Sequence, residues 1–351
     1  MADATTRERF LALDGLRGIA AFSVLLFHLN GSLHLHMAFA HGYLAVDFFF
    51  LLSGFVIAHA YEERLRAPGG IGSFVRERVI RLHPLLLLSL VPNGAVLVLS
   101  MIHGKPLFSH PLLALVLAAV PIPALWLRPD MFPLNRLSWS LFWELAVNFA
   151  FALAAPRLGN RVLGAIIAAA VTAAVAVSLT KGGVNVGGLT AGARAISAFA
   201  IGVALLRVHR TGRFRVDWLG AAAAPLLLLS LAAVPAKPWI AAVYDPLAMF
   251  GLFPLIVLAG ARREARFPRI CAWLGGVSYP LYILQGPLQH HLRAPIEHLL
   301  DGSIAAGLSL IAIVLAVSLV AWKLYDEPLR AALRRRFIRP TALAPGDTPA
   351  F

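Results

Sequence analysis

The sequence is poor in charged residues and in cysteine. Asp, Glu, Lys and Arg make up 14% of its 351 residues, whereas they make up about a quarter of a soluble domain. Together with a hydrophobic content of 59%, this excludes an ordinary soluble enzyme. The single cysteine, Cys271, excludes a disulfide framework, a zinc-thiolate site and any mechanism that needs paired thiols. The sequence also lacks a Gly-x-Ser-x-Gly motif, a Walker loop and a His-Glu-x-x-His pair.

The residues that are abundant indicate an integral membrane protein. The 28 Gly and 23 Pro fit this class, because both are commoner in membrane helices than in soluble ones. Apolar runs of the length that crosses a bilayer, about 20 residues, lie at 13–31, 42–60, 83–102, 139–156, 162–180, 191–207, 218–236, 239–260, 275–295 and 303–323. A net charge of +14 would suggest nucleic acid for a soluble protein. Here the excess of Lys and Arg in cytoplasmic loops explains it better, and no nucleic acid is expected.

An eleventh apolar run, at 111–127, is short and is interrupted by Pro121 and Pro123. If this run does not cross the membrane, most of the 31 Lys and Arg residues lie on the cytoplasmic side, and if it does, fewer than half do. The positive-inside rule favours the first arrangement. The sequence therefore predicts an all-α bundle of about ten transmembrane helices. It also predicts that both termini are cytoplasmic and that the segment near 111–127 is either re-entrant or lies on the outer surface.

Two ionisable side chains share one face of the first predicted helix. Arg17 and His28 are eleven residues apart, which corresponds to three turns plus about 20° and to about 16 Å along the helix axis. Arg17 is thus expected near the cytoplasmic surface and His28 in the outer half of the membrane. Because ionisable groups inside a membrane are candidates for function by default, this pair favours a functional role over a structural one.

Glu144 is the second intramembrane candidate. It follows Trp139 and Trp143 in a helix that is predicted to enter from the outside, so it is expected one or two turns below the outer surface. His28 is predicted at a similar depth, and the two side chains can pair, either for catalysis or to hold two helices together. The tryptophans are interpreted either as anchors at the membrane interface or as walls of an acceptor pocket.

A cluster of arginines is predicted at the cytoplasmic mouth of the third span. Arg78 and Arg81 are neighbours on one helical face. With Arg17 at the same level, their forked guanidinium groups are suited to the phosphates of a cofactor that enters from the cytoplasm. Ordinary positive-inside charge explains the cluster equally well.

Other polar residues lie near the predicted outer surface. Asp47, close to the outer end of the second span, is a further candidate for the polar centre. His34, His36 and His41 have no strong ligand spacing, so they are assigned to an outer loop and no metal is expected.

These residues together resemble the membrane acyltransferase-3 family. The motifs that carry the resemblance run in order along the chain: Leu13-Asp14-Gly15-Leu16-Arg17-Gly18 leading to His28, Phe48-Phe49-Phe50-Leu51-Leu52-Ser53-Gly54-Phe55, Arg78-x-x-Arg81 with Pro84, Trp139-Ser140-Leu141 with Glu144, and Ser278-Tyr279-Pro280-Leu281-Tyr282. The resemblance implies an acyltransferase domain over 1–326 and a basic cytoplasmic tail over 327–351. The sequence departs from the family pattern at Gln285, where many members carry a histidine. The glutamine side chain can form hydrogen bonds but cannot act as an acid or a base.

The resemblance implies transfer of an acyl group, most often acetyl, from cytoplasmic acyl-CoA across the cell inner membrane. The acceptor would be a hydroxyl of an extracytoplasmic glycan, glycolipid or glycosylated small molecule. Arg17, Arg78 and Arg81 would bind the phosphates of the donor, and His28 would act as general base or carry the acyl group itself. The other residues assigned to catalysis are Glu144 and Asp47, and those assigned to substrate binding are Trp139, Ser140, Trp143, Tyr282 and Gln285.

Three other interpretations remain open from the sequence. A secondary transporter also places polar residues inside a bundle, but it predicts inverted repeats, and none is apparent. A membrane-bound O-acyltransferase of another architecture would use an intramembrane histidine without needing Arg17 or Arg78. The third interpretation is a scaffold protein that keeps the fold without catalysis. The presence of all three residues Arg17, His28 and Glu144 argues against it.

Overall fold

The computed structural model describes residues 10–34, 38–127, 131–212, 219–235 and 237–338. Four arginines that the positive-inside rule assigns to cytoplasmic segments, Arg7, Arg9, Arg213 and Arg215, lie outside these ranges, as do His36 and residues 339–351 of the predicted tail. Within the described ranges the chain is helical and contains no β-strand, as the sequence predicts.

The helices follow the apolar runs of the sequence. They are α1 (Leu11–His28), α2 (Ala45–Tyr61), α3 (Gly70–Ile102), α4 (Pro111–Ala119), α5 (Ser138–Ala154), α6 (Asn160–Lys181), α7 (Gly192–Arg210), α8 (Ala223–Ala232), α9 (Pro238–Leu247), α10 (Phe253–Ala261), α11 (Pro268–Leu299), α12 (Ile304–Val320) and α13 (Glu327–Phe337). A π-helical turn, Ala248–Leu252, joins α9 to α10, and a second one, Ala321–Asp326, joins α12 to α13.

By length and hydropathy, seven helical segments of the described residues are able to cross a membrane. They are α1, α3, α6 and α7, together with the continuous segments Gly42–Tyr61, which contains α2, Pro238–Ala261 and Ile304–Phe337. The other three predicted spans fall on the shorter apolar helices α5 and α8 and on α11, which has 32 residues. The polytopic helical fold is therefore confirmed, and the number of ten crossings stays a prediction.

The run at 111–127 is too short to cross as one helix. Its helix α4 has nine residues, so it extends about 14 Å, half of the hydrocarbon thickness. Ala114 and Ala118 face the bundle, whereas Leu112, Leu113 and Val116 are exposed. This exposed apolar face suits contact with lipid, as either predicted arrangement of the segment requires.

Two close helix pairs form the centre of the bundle. In α2 and α7, a Cβ on Gly54 would clash with the carbonyl oxygen of Phe199, and a Cβ on Gly202 would clash with the carbonyl oxygen of Leu51. In α1 and α11, a Cβ on Gly18 would lie 2.5 Å from the Leu274 side chain. Glycines therefore let these backbones approach each other as small residues do in membrane helix pairs, which fixes the walls of the site.

Candidate functional site

A cavity of about 190 Å³ lies among helices α1, α2, α3, α5, α11 and α13. One end is lined by Phe10, where α1 begins, and by Tyr61, where α2 ends. The opposite end is lined by Val46 and Phe49, at the beginning of α2. Because α1 and α2 are antiparallel, the cavity extends along the length of the bundle. Its polar lining consists of Asp14, Arg17, Ser53, Tyr61, Glu77, Arg78, Arg81, Ser140, Glu144, Ser278, Tyr279, Tyr282 and Arg334.

Arg17 is held rigidly against α11. Its Nε donates to the Ser278 hydroxyl at 3.0 Å, and its Nη2 donates to the Gly275 carbonyl at 2.9 Å. Asp14, one turn earlier in α1, forms a salt bridge with the same nitrogen at 2.9 Å. The close approach of α1 and α11 makes these contacts possible, so the guanidinium group is preorganised on the cavity wall.

Glu144 lies in the middle of the cavity and binds three side chains through Oε1. Arg78 Nη2 donates to this oxygen at 3.0 Å, the Ser53 hydroxyl at 2.6 Å and Asn148 Nδ2 at 3.1 Å. The predicted pair between Glu144 and His28 is therefore wrong. Ser53 is near the middle of α2, and the long side chain of Arg78 reaches that level, so the carboxylate is neutralised by arginine instead.

Arg81 lines the same end of the cavity as Arg17. Among the described residues, no carboxylate forms a salt bridge with it, although it interacts electrostatically with Arg17, Arg78 and Asp326. A half-buried guanidinium without a direct counter-ion is unfavourable unless an anion binds it. We refer to the end lined by Arg17, Arg78, Arg81 and Arg334 as the basic end.

Two hydroxyl groups meet at the other end. The Ser140 and Tyr282 oxygens are 2.6 Å apart, and the Tyr282 ring packs edge-on against Phe49 with centroids 5.7 Å apart. Phe49 also packs with the apolar cluster that contains Leu25 of α1 and Leu29, which follows this helix. We refer to this end, defined by Ser140 and Tyr282, as the hydroxyl end.

His28 does not line the cavity. It is the last residue of α1, is half-buried, and its ring lies 5.1 Å from that of Phe27. Its ring nitrogens form no hydrogen bond with another described residue. Arg17 and His28 do follow one helical face, as predicted, but the cavity includes only the Arg17 end of that face.

Asp47 also lies outside the cavity wall, in a buried polar network. Its Oδ1 accepts from Arg194 Nε at 2.9 Å, and both side chains are almost completely buried. Close to them, Asp245 accepts from the Tyr43 hydroxyl and lies 3.0 Å from His41 Nδ1. His41 lies in a loop, as predicted, but its side chain is fully buried in this network. The network joins α2, α7 and α9.

The remaining predicted substrate residues pack between helices and not on the cavity. Trp139 lies under the Arg194 guanidinium at 5.7 Å, and Trp143 packs against Gly192. Gln285 is fully buried, and its Nε2 donates to the Tyr282 carbonyl at 3.4 Å, while its Oε1 has no partner among the described residues. Six predicted site residues thus line the cavity, namely Arg17, Arg78, Arg81, Glu144, Ser140 and Tyr282.

Sequence reasoning missed several lining residues. Ser53, Ser278 and Tyr279 lie in motifs that carry the family resemblance, so a signal for them was present. Arg334 lies in the predicted tail, and nothing in its neighbourhood distinguished it from Arg335. As for metals, no group of three or more His, Cys, Asp or Glu side chains converges within the part of the chain that the structure describes.

The buried position of Asp47 predicts a loss of stability on substitution. Asp47→Asn leaves the Arg194 charge without its counter-ion, so we expect the free energy of unfolding to fall by about 3–5 kcal/mol. Thermal unfolding of the purified protein in detergent measures this. Asp301→Asn, at an exposed position, is the matched control and is expected to be neutral. A stable Asp47→Asn protein that lacks activity would instead indicate a direct catalytic role.

Comparison with known proteins adds independent information on this site. A family model described as an acyltransferase domain matches residues 10–323. A protein described as protein 2 in the picA locus of Rhizobium radiobacter is 38% identical over 159 residues, which cover 41% of this chain and 82% of that protein. No solved structure matches the chain. The range matched by the family model contains every residue of the cavity wall except Arg334.

Proposed function

The chain belongs to the acyltransferase-3 family, and from that premise we propose that it moves an acetyl group from acetyl-CoA, or another acyl group from its CoA ester, to a hydroxyl on the far side of the inner membrane. The acceptor class is a glycan, a glycolipid or a glycosylated small molecule. The observation that carries the proposal is the cavity, which joins a guanidinium-rich end to a hydroxyl-lined end through the bundle. Such a cavity suits a donor and an acceptor that arrive from opposite sides.

The size of the cavity supports a donor with a slim arm. Small-molecule sites usually enclose about 300–1,000 Å³, whereas this cavity has about 190 Å³. In the proposal, the nucleotide part of CoA stays at the basic end, where Arg17, Arg78 and Arg81 bind its phosphates. The pantetheine arm enters the cavity and brings its thioester toward Ser140 and Tyr282.

In the proposed reaction, His28 acts as general base on the acceptor hydroxyl. The hydroxyl oxygen attacks the thioester carbonyl carbon, so that a C–O bond forms and the C–S bond breaks. His28 takes the hydroxyl proton on a ring nitrogen and returns it to the departing sulfur, so CoA leaves as a thiol. Because His28 lies outside the cavity wall, this step requires side chains at the hydroxyl end to move, and Phe49 is the one that packs on Tyr282 there.

Glu144 has a positioning role in this scheme. Its contacts hold Arg78 and Ser53 on the wall, and it does not contact His28. We therefore assign Glu144 to the shape and charge of the passage for the donor arm. Asp47 is assigned to the network that fixes α2 against α7.

Mass spectrometry of surface glycans tests the proposal. We expect cells that carry the gene to show glycans heavier by one acyl group than cells without it, and mild alkali to remove the difference, because O-esters hydrolyse readily. Complementation with the His28→Ala variant is expected to leave the glycans unmodified. Identical spectra with and without the gene would contradict the proposal. A substrate flux that persists without acyl-CoA would indicate a transporter instead.

A further inference from the structure

The C-terminal helix α13 forms part of the bundle. It continues from α12 through the π-helical turn Ala321–Asp326, and it packs against α3. Asp326, Arg330 and Arg334 follow at intervals of four residues, so they share one helical face. Asp326 and Arg330 are buried and form a salt bridge at 2.8 Å, whereas Arg335 and Arg336 are exposed. The face that carries Arg334 is therefore the face turned toward the bundle.

The charges on the cavity wall do not balance. The wall carries four arginines and three carboxylates: Arg17, Arg78, Arg81 and Arg334, and Asp14, Glu77 and Glu144. Each carboxylate already has an arginine partner, in the pairs Asp14–Arg17, Glu144–Arg78 and Glu77–Arg64. Within the described ranges, no carboxylate forms a salt bridge with Arg81 or Arg334. Two positive charges therefore remain at the basic end.

The Arg334 side chain also has an unused donor. Its Nε is buried and has no hydrogen-bond partner among the described residues. A buried donor that is left unpaired is unfavourable, and a ligand that accepts from it removes that penalty. Two forked cations without a counter-ion, together with this free donor, match a dianionic group with several acceptor oxygens.

On the basis of the proposed function, we propose that Arg334 and Arg81 together bind the 3′-phosphate of the CoA donor. A phosphate monoester carries a charge of about −1.5 to −2 at neutral pH. This charge would balance the two positive charges of Arg81 and Arg334, which have no carboxylate partner among the described residues. Arg17 and Arg78, in contrast, are already paired with Asp14 and Glu144. The C-terminal helix would then contact the 3′-phosphate, which CoA has and 3′-dephospho-CoA lacks.

Binding measurements on the full-length protein test this inference. Titration calorimetry in detergent compares CoA with 3′-dephospho-CoA, which keeps the diphosphate and the pantetheine arm. The wild-type protein is expected to bind CoA about tenfold more tightly than dephospho-CoA. Arg334→Gln is expected to lose this preference while its affinity for dephospho-CoA is unchanged. Arg335→Gln, the adjacent exposed position, is the matched control and is expected to behave as wild type.

The outcomes separate this inference from the proposed function. If Arg334→Gln lowers the affinity for CoA and for dephospho-CoA equally, the assignment to the 3′-phosphate is overturned. It is also overturned if Arg334→Gln binds both ligands as Arg335→Gln does. If the wild-type protein binds neither ligand, the proposed donor itself is wrong. A melting temperature measured without ligand verifies that Arg334→Gln folds. Arg334→Lys, which keeps the charge without the fork, is expected to retain part of the preference, and a complete loss would contradict an electrostatic contact.

Discussion

His28→Ala is expected to reduce the rate of acyl transfer by about 10²–10⁴-fold, the contribution typical of a general base. The ring nitrogens of His28 have no hydrogen-bond partner among the described residues, so a nitrogen lone pair is available for a proton. The residue lies far from the basic end, since eleven residues of helix separate it from Arg17. We therefore expect kcat to fall while the affinity for CoA stays the same. Turnover of acyl-CoA in reconstituted membranes measures kcat, and titration calorimetry measures the affinity for CoA.

His298→Ala is the control for this prediction, because His298 is exposed near the end of α11. It is expected to keep wild-type turnover. A folded His28→Ala protein with wild-type turnover would remove His28 from the mechanism. Mass spectrometry of the intact wild-type protein, quenched during turnover, distinguishes the two roles of the histidine. An acylated His28 would show that it carries the acyl group, and its absence is expected for a general base.

Arg81→Met is expected to raise the KM for acyl-CoA by up to about 10-fold with little change in kcat. The substitution removes a cation from the cavity wall, and it leaves no described carboxylate without its partner, because none forms a salt bridge with Arg81. Methionine keeps much of the apolar volume of the side chain, so the packing of α3 is preserved. Steady-state kinetics with varied acyl-CoA measures the effect.

Arg76→Met is the matched control, since Arg76 is exposed on the same helix and does not line the cavity. It is expected to leave KM unchanged. Equal effects of Arg76→Met and Arg81→Met would mean that general surface charge, and not a phosphate contact, attracts the donor.

The double variant Arg81→Met with Arg334→Gln is expected to lose less affinity than the two single losses combined, because both side chains are proposed to hold one phosphate.

The class of the protein could be predicted from composition and hydropathy alone. Apolar runs define membrane helices because each backbone polar group in lipid must be paired within its own helix. The helical face shared by Arg17 and His28 follows from the geometry of one helix, and the structure preserves it. The segment 111–127 was also predicted correctly not to form a full-length spanning helix, since its prolines interrupt it and α4 has nine residues.

Contacts between distant parts of the chain could not be predicted in the same way. Asp47 and Arg194 are 147 positions apart, and no local pattern shows that they pair. The depth of Glu144 was estimated along its own helix, but its partners were decided by the reach of Arg78 and by Ser53 on another helix. Arg334 illustrates the same limit, because its place on the cavity wall depends on how α13 packs and not on its neighbours in sequence.

The narrow cavity has a consequence for the insulation of the membrane. The cavity has a volume of about 190 Å³, and the packed rings of Phe49 and Tyr282 line one end of it. A wide aqueous path through such a bundle would dissipate the transmembrane potential, which is worth about 2.3 kcal/mol per elementary charge at 100 mV. Under the proposed function, a passage that admits only a thin chain, with guanidinium groups that repel protons at one end, would let donor and acceptor meet without dissipating that potential.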